Sequence, residues 1–111
     1  MATFDELTAL ALRLPQAHQE TTWEQETFRV GRKIFAMGHP ESGQVSVKAT
    51  VSEQAELIAA APEVYSMAPY TGRFGWVRVQ LALVEPEELR ELLTEAWRSI
   101  APKRVRDGYE A

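Results

Sequence analysis

The stretch that decides the fold is Ala68-Pro69-Tyr70-Thr71-Gly72-Arg73-Phe74-Gly75-Trp76-Val77-Arg78-Val79-Gln80-Leu81-Ala82-Leu83-Val84. In its second half Val77, Val79, Leu81 and Leu83 alternate with Trp76, Arg78, Gln80 and Ala82. A period of two marks a strand with one face on a core and the other toward water or a partner. The first half carries Pro69, Gly72 and Gly75, which punctuate a short loop rich in aromatic residues.

Working outward, residues 27–30 and 33–37 are β-prone runs separated by Gly31-Arg32, and the leading glycine suits a type II′ hairpin. A second turn at His39-Pro40-Glu41-Ser42-Gly43 leads to Val45 and Val47, which alternate with Gln44, Ser46 and Lys48. These runs read as a three-stranded meander. Residues 16–20 read as a polar connection, 21–23 as a short strand weakened by the acids that follow, and 63–67 as a broken turn.

Helices surround this β-rich middle. Thr3 and Glu6 form a capping box ahead of a stripe of Phe4, Leu7, Leu10, Ala11 and Leu14, and Pro15 ends it. Thr50 and Ser52 both offer N-caps for a helix carrying Ala55, Leu57, Ile58 and Ala61. Pro86 stands at the first position of the last helix, with Glu87 and Glu88 where acids suit the macrodipole. Leu89, Leu92, Leu93, Ala96, Trp97 and Ile100 form its inner face, Ala101-Pro102 stops it, and the remaining tail reads as loosely held. The order helix, strands, helix, strand, helix predicts an α+β fold. It is a two-layer sandwich with helices on one face of an antiparallel sheet of four to five strands. Residues 1–111 are expected to form a single domain.

Composition excludes several chemistries. The absence of cysteine rules out disulfides, thiolate zinc sites and cysteine nucleophiles, and it fits a reducing cytosol. No basic region followed by an apolar run opens the chain, and no apolar segment approaches the roughly 20 residues of a membrane span. A cytoplasmic location is therefore expected. The net charge of −4 is unevenly spread. Residues 28–48 hold Arg29, Arg32, Lys33 and Lys48 against Glu41 alone, whereas residues 49–95 hold eight acids against three bases.

With Phe28, Val30, Ile34, Ala36, Val45, Val47 and the β-valines and leucines after Trp76 turned inward, the other sheet face is set. It holds Thr27, Arg29, Lys33, Phe35, Gln44, Ser46, Lys48, Trp76, Arg78 and Gln80. That face contains four bases, two large aromatics and no acid. Cations on phosphates with an indole on bases is how sheet platforms hold single strands, and a basic hairpin fits a duplex groove. The plainer role for long Arg and Lys stems is to cover an exposed face.

The chain resembles the MmcQ/YjbR-like family. The resemblance rests on Leu14-Pro15, Trp23, the run from Thr27 through Gly31-Arg32-Lys33 to Ala36, Ala68-Pro69-Tyr70, Gly75-Trp76-Val77 and Ala101-Pro102-Lys103. It implies the α+β fold, also seen in type III secretion chaperones. It further implies DNA binding through a proposed double-wing arrangement, and it brings no established catalytic residues to carry over. Where the family pattern often has Gly-Lys, this chain reads Gly31-Arg32-Lys33.

The expectation is a non-catalytic nucleic-acid-binding module. Arg29, Arg32, Lys33, Lys48, Arg73 and Arg78 would meet phosphates and Trp76 would stack. The alternative is a protein-interaction module resembling the secretion chaperones, with a partner segment on the sheet face or an edge. No cofactor, metal or membrane partner is expected. His18 and His39 lack ligand spacing, and the loop at residues 70–75 matches neither phosphate-binding fingerprint. The basic tail at Lys103-Arg104-Val105-Arg106 suits either phosphate contacts or the negative end of the preceding helix.

Overall fold

The computed structural model describes residues 1–110. The elements run α1 (Phe4–Leu12), β1 (Ala17–Thr22), β2 (Gln25–Val30), β3 (Lys33–His39), β4 (Gln44–Val47), α2 (Val51–Ala60), β5 (Tyr65–Met67), β6 (Val77–Gln80), α3 (Pro86–Ile100) and α4 (Lys103–Glu110). A 3₁₀ turn at Gly72–Phe74 precedes β6. The strands form one open six-stranded antiparallel sheet in the order β1-β2-β3-β4-β6-β5.

Local chemistry starts two helices, and of the two N-caps offered for α2 the chain uses Thr50, with Ser52 inside the helix. Thr3 with Glu6, and Thr50 with Glu53, each make a complete capping box in which side chain and backbone exchange hydrogen bonds. The β2–β3 loop has Gly31 at φ +62° with Arg32 outside the positive region, as a type II′ turn requires.

Register then places the core. Phe28, Ala36, Val47 and Val77 are successive cross-strand partners, so they share one face, and all are buried. Val45, Val79 and Tyr65 form the next buried row. α3 lies against β3 and β4, α1 against α3 and β1, and α2 against β5. Trp97 is fully buried, and its indole Nε1 donates to the Pro15 carbonyl at 2.9 Å. The opposite row runs Thr27, Met37, Ser46, Arg78, Ser66.

Several expectations are corrected. The polar segment after Gln16 is strand β1, paired along its length with β2. Its turn is Trp23-Glu24, both residues in the left-handed region at φ +52° and +67° without glycine or asparagine to announce it. The residues read as a broken turn contain edge strand β5. β6 stops at Gln80, where the chain turns and both Leu83 and Val84 donate to the Gln80 carbonyl. Leu83 is therefore exposed and Val84 takes the core position.

A β-bulge overturns the alternation in β3. Phe28 pairs with Ala36 but Arg29 pairs with Ile34, leaving Phe35 as the extra residue. Phe35 is fully buried, not on the outer face, while Ile34 moves opposite Arg29 and Lys33 moves opposite core residue Val30. In α2, Ala55 is exposed and Gln54 is the buried residue. The tail forms helix α4, with Val105 buried and Tyr109 edge-on to Trp97 at 5.0 Å between ring centres.

Candidate nucleic-acid interface

The seven expected site residues do not form one patch. Arg29 and Arg78 share the face opposite the core, because Thr27 and Arg78 lie in one cross-strand row and Arg29 is two residues from Thr27. Their electrostatic settings differ. β1 brings Glu20 onto that face, 3.9 Å from Arg29 Nε, and Arg29 also donates to Thr27 Oγ1 at 3.0 Å and Thr22 Oγ1 at 3.3 Å. The expected acid-free face is thus corrected: Glu20 compensates Arg29. His18 Nε2 lies 2.7 Å from Glu20, and that hydrogen bond, reinforced by the charge of Arg29, holds the Glu20 carboxyl below its ordinary range. Arg78 reaches only Ser66 Oγ, at 3.4 Å, and meets no carboxylate among the described residues.

Trp76 is half-buried beside β6, and its carbonyl accepts from Gln54 Nε2 at 2.7 Å. Arg73 is exposed with its guanidinium 4.7 Å over the Phe74 ring. Tyr70, 94% exposed, stands at φ +63° in the same loop. Lys48 lines a groove between α2 and α3, which removes it from the sheet-face set.

The remaining pair meets a partner the sequence reading placed in a loose tail. Arg32 and Lys33, at the β2–β3 turn, line a cleft of about 470 Å³ together with Arg106 of α4. Gln16, Val30, Gly31, Ser99, Ile100, Ala101 and Pro102 complete its wall, and no acid is among them. Arg32 and Lys33 are exposed, Arg106 is half-buried, and the buried Nε of Arg106 has no hydrogen-bond partner. Three cations without a carboxylate between them form a ready anion site, with Arg106 recessed and the hairpin cations at the rim. The signal for Arg106 lay in Pro102, which suits a helix start as well as a stop, and in the four-residue spacing of Val105 and Tyr109.

A family model described as YjbR matches residues 12–99. The chain belongs to the YjbR family. Uncharacterized protein Rv2570 of Mycobacterium tuberculosis is 32% identical to this YjbR-family chain, covering 100% of it and 98% of the relative. Uncharacterized protein Mb2600 of Mycobacterium bovis is similar to the same extent, 32% identical with the same coverage. A crystal structure of Deinococcus radiodurans protein DR2400, of family-model domain DUF419, matches with a TM-score of 0.83 at 25% identity over 94% of this chain and 82% of that one. Part of an O-phosphoserine–tRNA(Cys) ligase of Methanosarcina barkeri is 26% identical, over 74% of this YjbR-family chain and 15% of the ligase.

Among the described residues no helix is long and apolar enough to cross a membrane. Nor do three His, Asp or Glu side chains gather there as a metal-ligand set.

Proposed function

We propose that this YjbR-family protein is a non-catalytic nucleic-acid-binding module that grips the phosphate backbone in the cleft of Arg32, Lys33 and Arg106. The observation that carries this is the acid-free lining of that cleft in a chain of net charge −4, with 16 acids against 12 bases. Part of the role of Arg106 is to face the carbonyl end of α3, where a cation is favourable. Arg32 and Lys33 belong to a hairpin and have no such structural duty.

In this reading the helices cover one sheet face in two layers, and the β2–β3 hairpin projects its basic tip past the end of α3. The contacts are to phosphate, so binding is largely independent of sequence. Arg78, uncompensated on the uncovered face, and the outward Tyr70 add a second contact region for a longer strand. The likeness to part of an enzyme named for tRNA(Cys) supports a nucleic-acid partner.

The test is fluorescence anisotropy with labelled 12-residue oligonucleotides, single-stranded and duplex, at low salt. Arg32→Ala with Lys33→Ala should weaken binding about tenfold or more, a loss of roughly 1.4 kcal/mol. Absence of binding by the native chain, or equal affinity of the double variant, would overturn the reading.

A further inference from the structure

The helical side of the molecule carries a groove of opposite character. Its volume is about 400 Å³, and α2 and α3 form its two walls without packing closely on each other. Each helix contributes residues at i, i+3, i+4 and i+7. α2 supplies Glu53, Glu56, Leu57 and Ala60, and α3 supplies Glu88, Glu91, Leu92 and Glu95. That spacing puts each set on one stripe of about two helical turns, roughly 10 Å long. Leu57 and Leu92, both packed on the core, make an apolar floor with glutamates along the two rims.

The charge is unbalanced. Lys48 is the lone cation in the lining, against five glutamates. Glu53 is occupied with its capping box and Glu95 with Arg98, but Glu56, Glu88 and Glu91 have no ion-pair partner among the described residues. Tyr65 of β5, only 2% exposed, is buried outside the lining, so the groove's polar character comes from its glutamates.

We infer that the α2–α3 groove docks a basic amphipathic helix of a partner protein. Two helical walls with a leucine floor receive a third helix in the helix-in-groove mode. Apolar residues of the incoming helix sit on Leu57 and Leu92. Its Lys or Arg side chains reach Glu56 and Glu91 on opposite walls, and a further donor meets Glu88. Charge complementarity selects the partner and excludes acidic helices. This surface is separate from the basic cleft, so either can fail alone.

The probe is a fluorescein-labelled Leu/Lys peptide of about 14 residues, long enough for nearly four helical turns. A peptide of identical composition, scrambled to abolish the apolar face, is the control. The amphipathic peptide should bind about tenfold more tightly than the scramble. Glu56→Gln, Glu88→Gln and Glu91→Gln together should weaken it about tenfold, the summed effect of three modest ion pairs. Leu92→Gln should weaken it while the far-ultraviolet dichroism of the protein stays unchanged. Equal binding of the scramble, or full affinity of the triple variant, would overturn the inference. So would sedimentation showing a dimer that the same substitutions dissociate, because a second copy would then fill the groove.

Discussion

Nε2 of Gln54 lies 2.7 Å from the carbonyl oxygen of Trp76, and the same nitrogen lies 2.7 Å from that of Gly72. One buried amide in α2 therefore uses both of its N–H groups to hold the middle of the aromatic loop, at Gly72, and its end, at Trp76. The loop carries Arg73 and Tyr70 outward and leads directly to Arg78. Gln54→Leu removes one of two donors from each carbonyl, leaving Gly72 only the Gly75 amide and Trp76 only the Ala68 amide. It should lower unfolding stability by about 1–3 kcal/mol in urea titration, and loop amides should exchange faster with solvent.

Gly75 closes the same loop from the other side. Its φ is +103°, and a Cβ there would stand 2.6 Å from the Ala49 oxygen and 2.7 Å from the Val51 nitrogen, both backbone. Neither can swing away, since they form the entry to α2. Gly75→Ala should cost about 1–3 kcal/mol or more in thermal unfolding, whereas Gly43→Ala, with nothing within 4 Å of its Cβ, meets only the backbone penalty of its positive φ.

Tyr65 gives a pH dependence of definite sign. Burial first, and Glu88 second, push its phenol far above the ordinary range. The unfolded chain ionises near pH 10 while the folded one does not, so stability falls as pH rises above about 10, at up to 1.4 kcal/mol per unit from this group. Below that pH the contribution is fully present. Tyr65→Phe should abolish this share of the alkaline slope. At neutral pH it should leave stability unchanged or raise it by about 1 kcal/mol, because the hydroxyl it removes has no hydrogen bond.

Tyr109 holds α4 in place through its edge-on contact with Trp97. Tyr109→Ala should loosen that helix by about 0.5–1.5 kcal/mol and displace Arg106 from the cleft. Limited trypsin digestion should then cut faster at Lys103 and Arg104, and oligonucleotide affinity should fall although no cation has been changed.

How far residues alone reveal this molecule follows from which signals are local. The capping box at Thr3, the Gly31 turn and Pro86 are short-range, and each set its element correctly, while the start of α2 was narrowed to Thr50 or Ser52. β1 escaped because its turn is Trp23-Glu24, a pair held at positive φ by the strands it joins and not by its own propensity. Phe35 and Lys33 were assigned the wrong face because a bulge adds one residue, and parity beyond it inverts. The basic character of Arg32 and Lys33 was plain from their hairpin. Their meeting with Arg106 was not, since it depends on α4 docking through contacts such as Trp97 with Tyr109. Glu20, likewise, reaches Arg29 only once β1 exists.

The most direct test of the central claim is the salt dependence of oligonucleotide binding. If Arg32, Lys33 and Arg106 each neutralise one phosphate of a single strand, log Kobs against log salt should have a slope of about −2. Arg32→Ala should reduce its magnitude by about 0.7. A slope near zero, or one that Arg32→Ala leaves unchanged, would contradict the account.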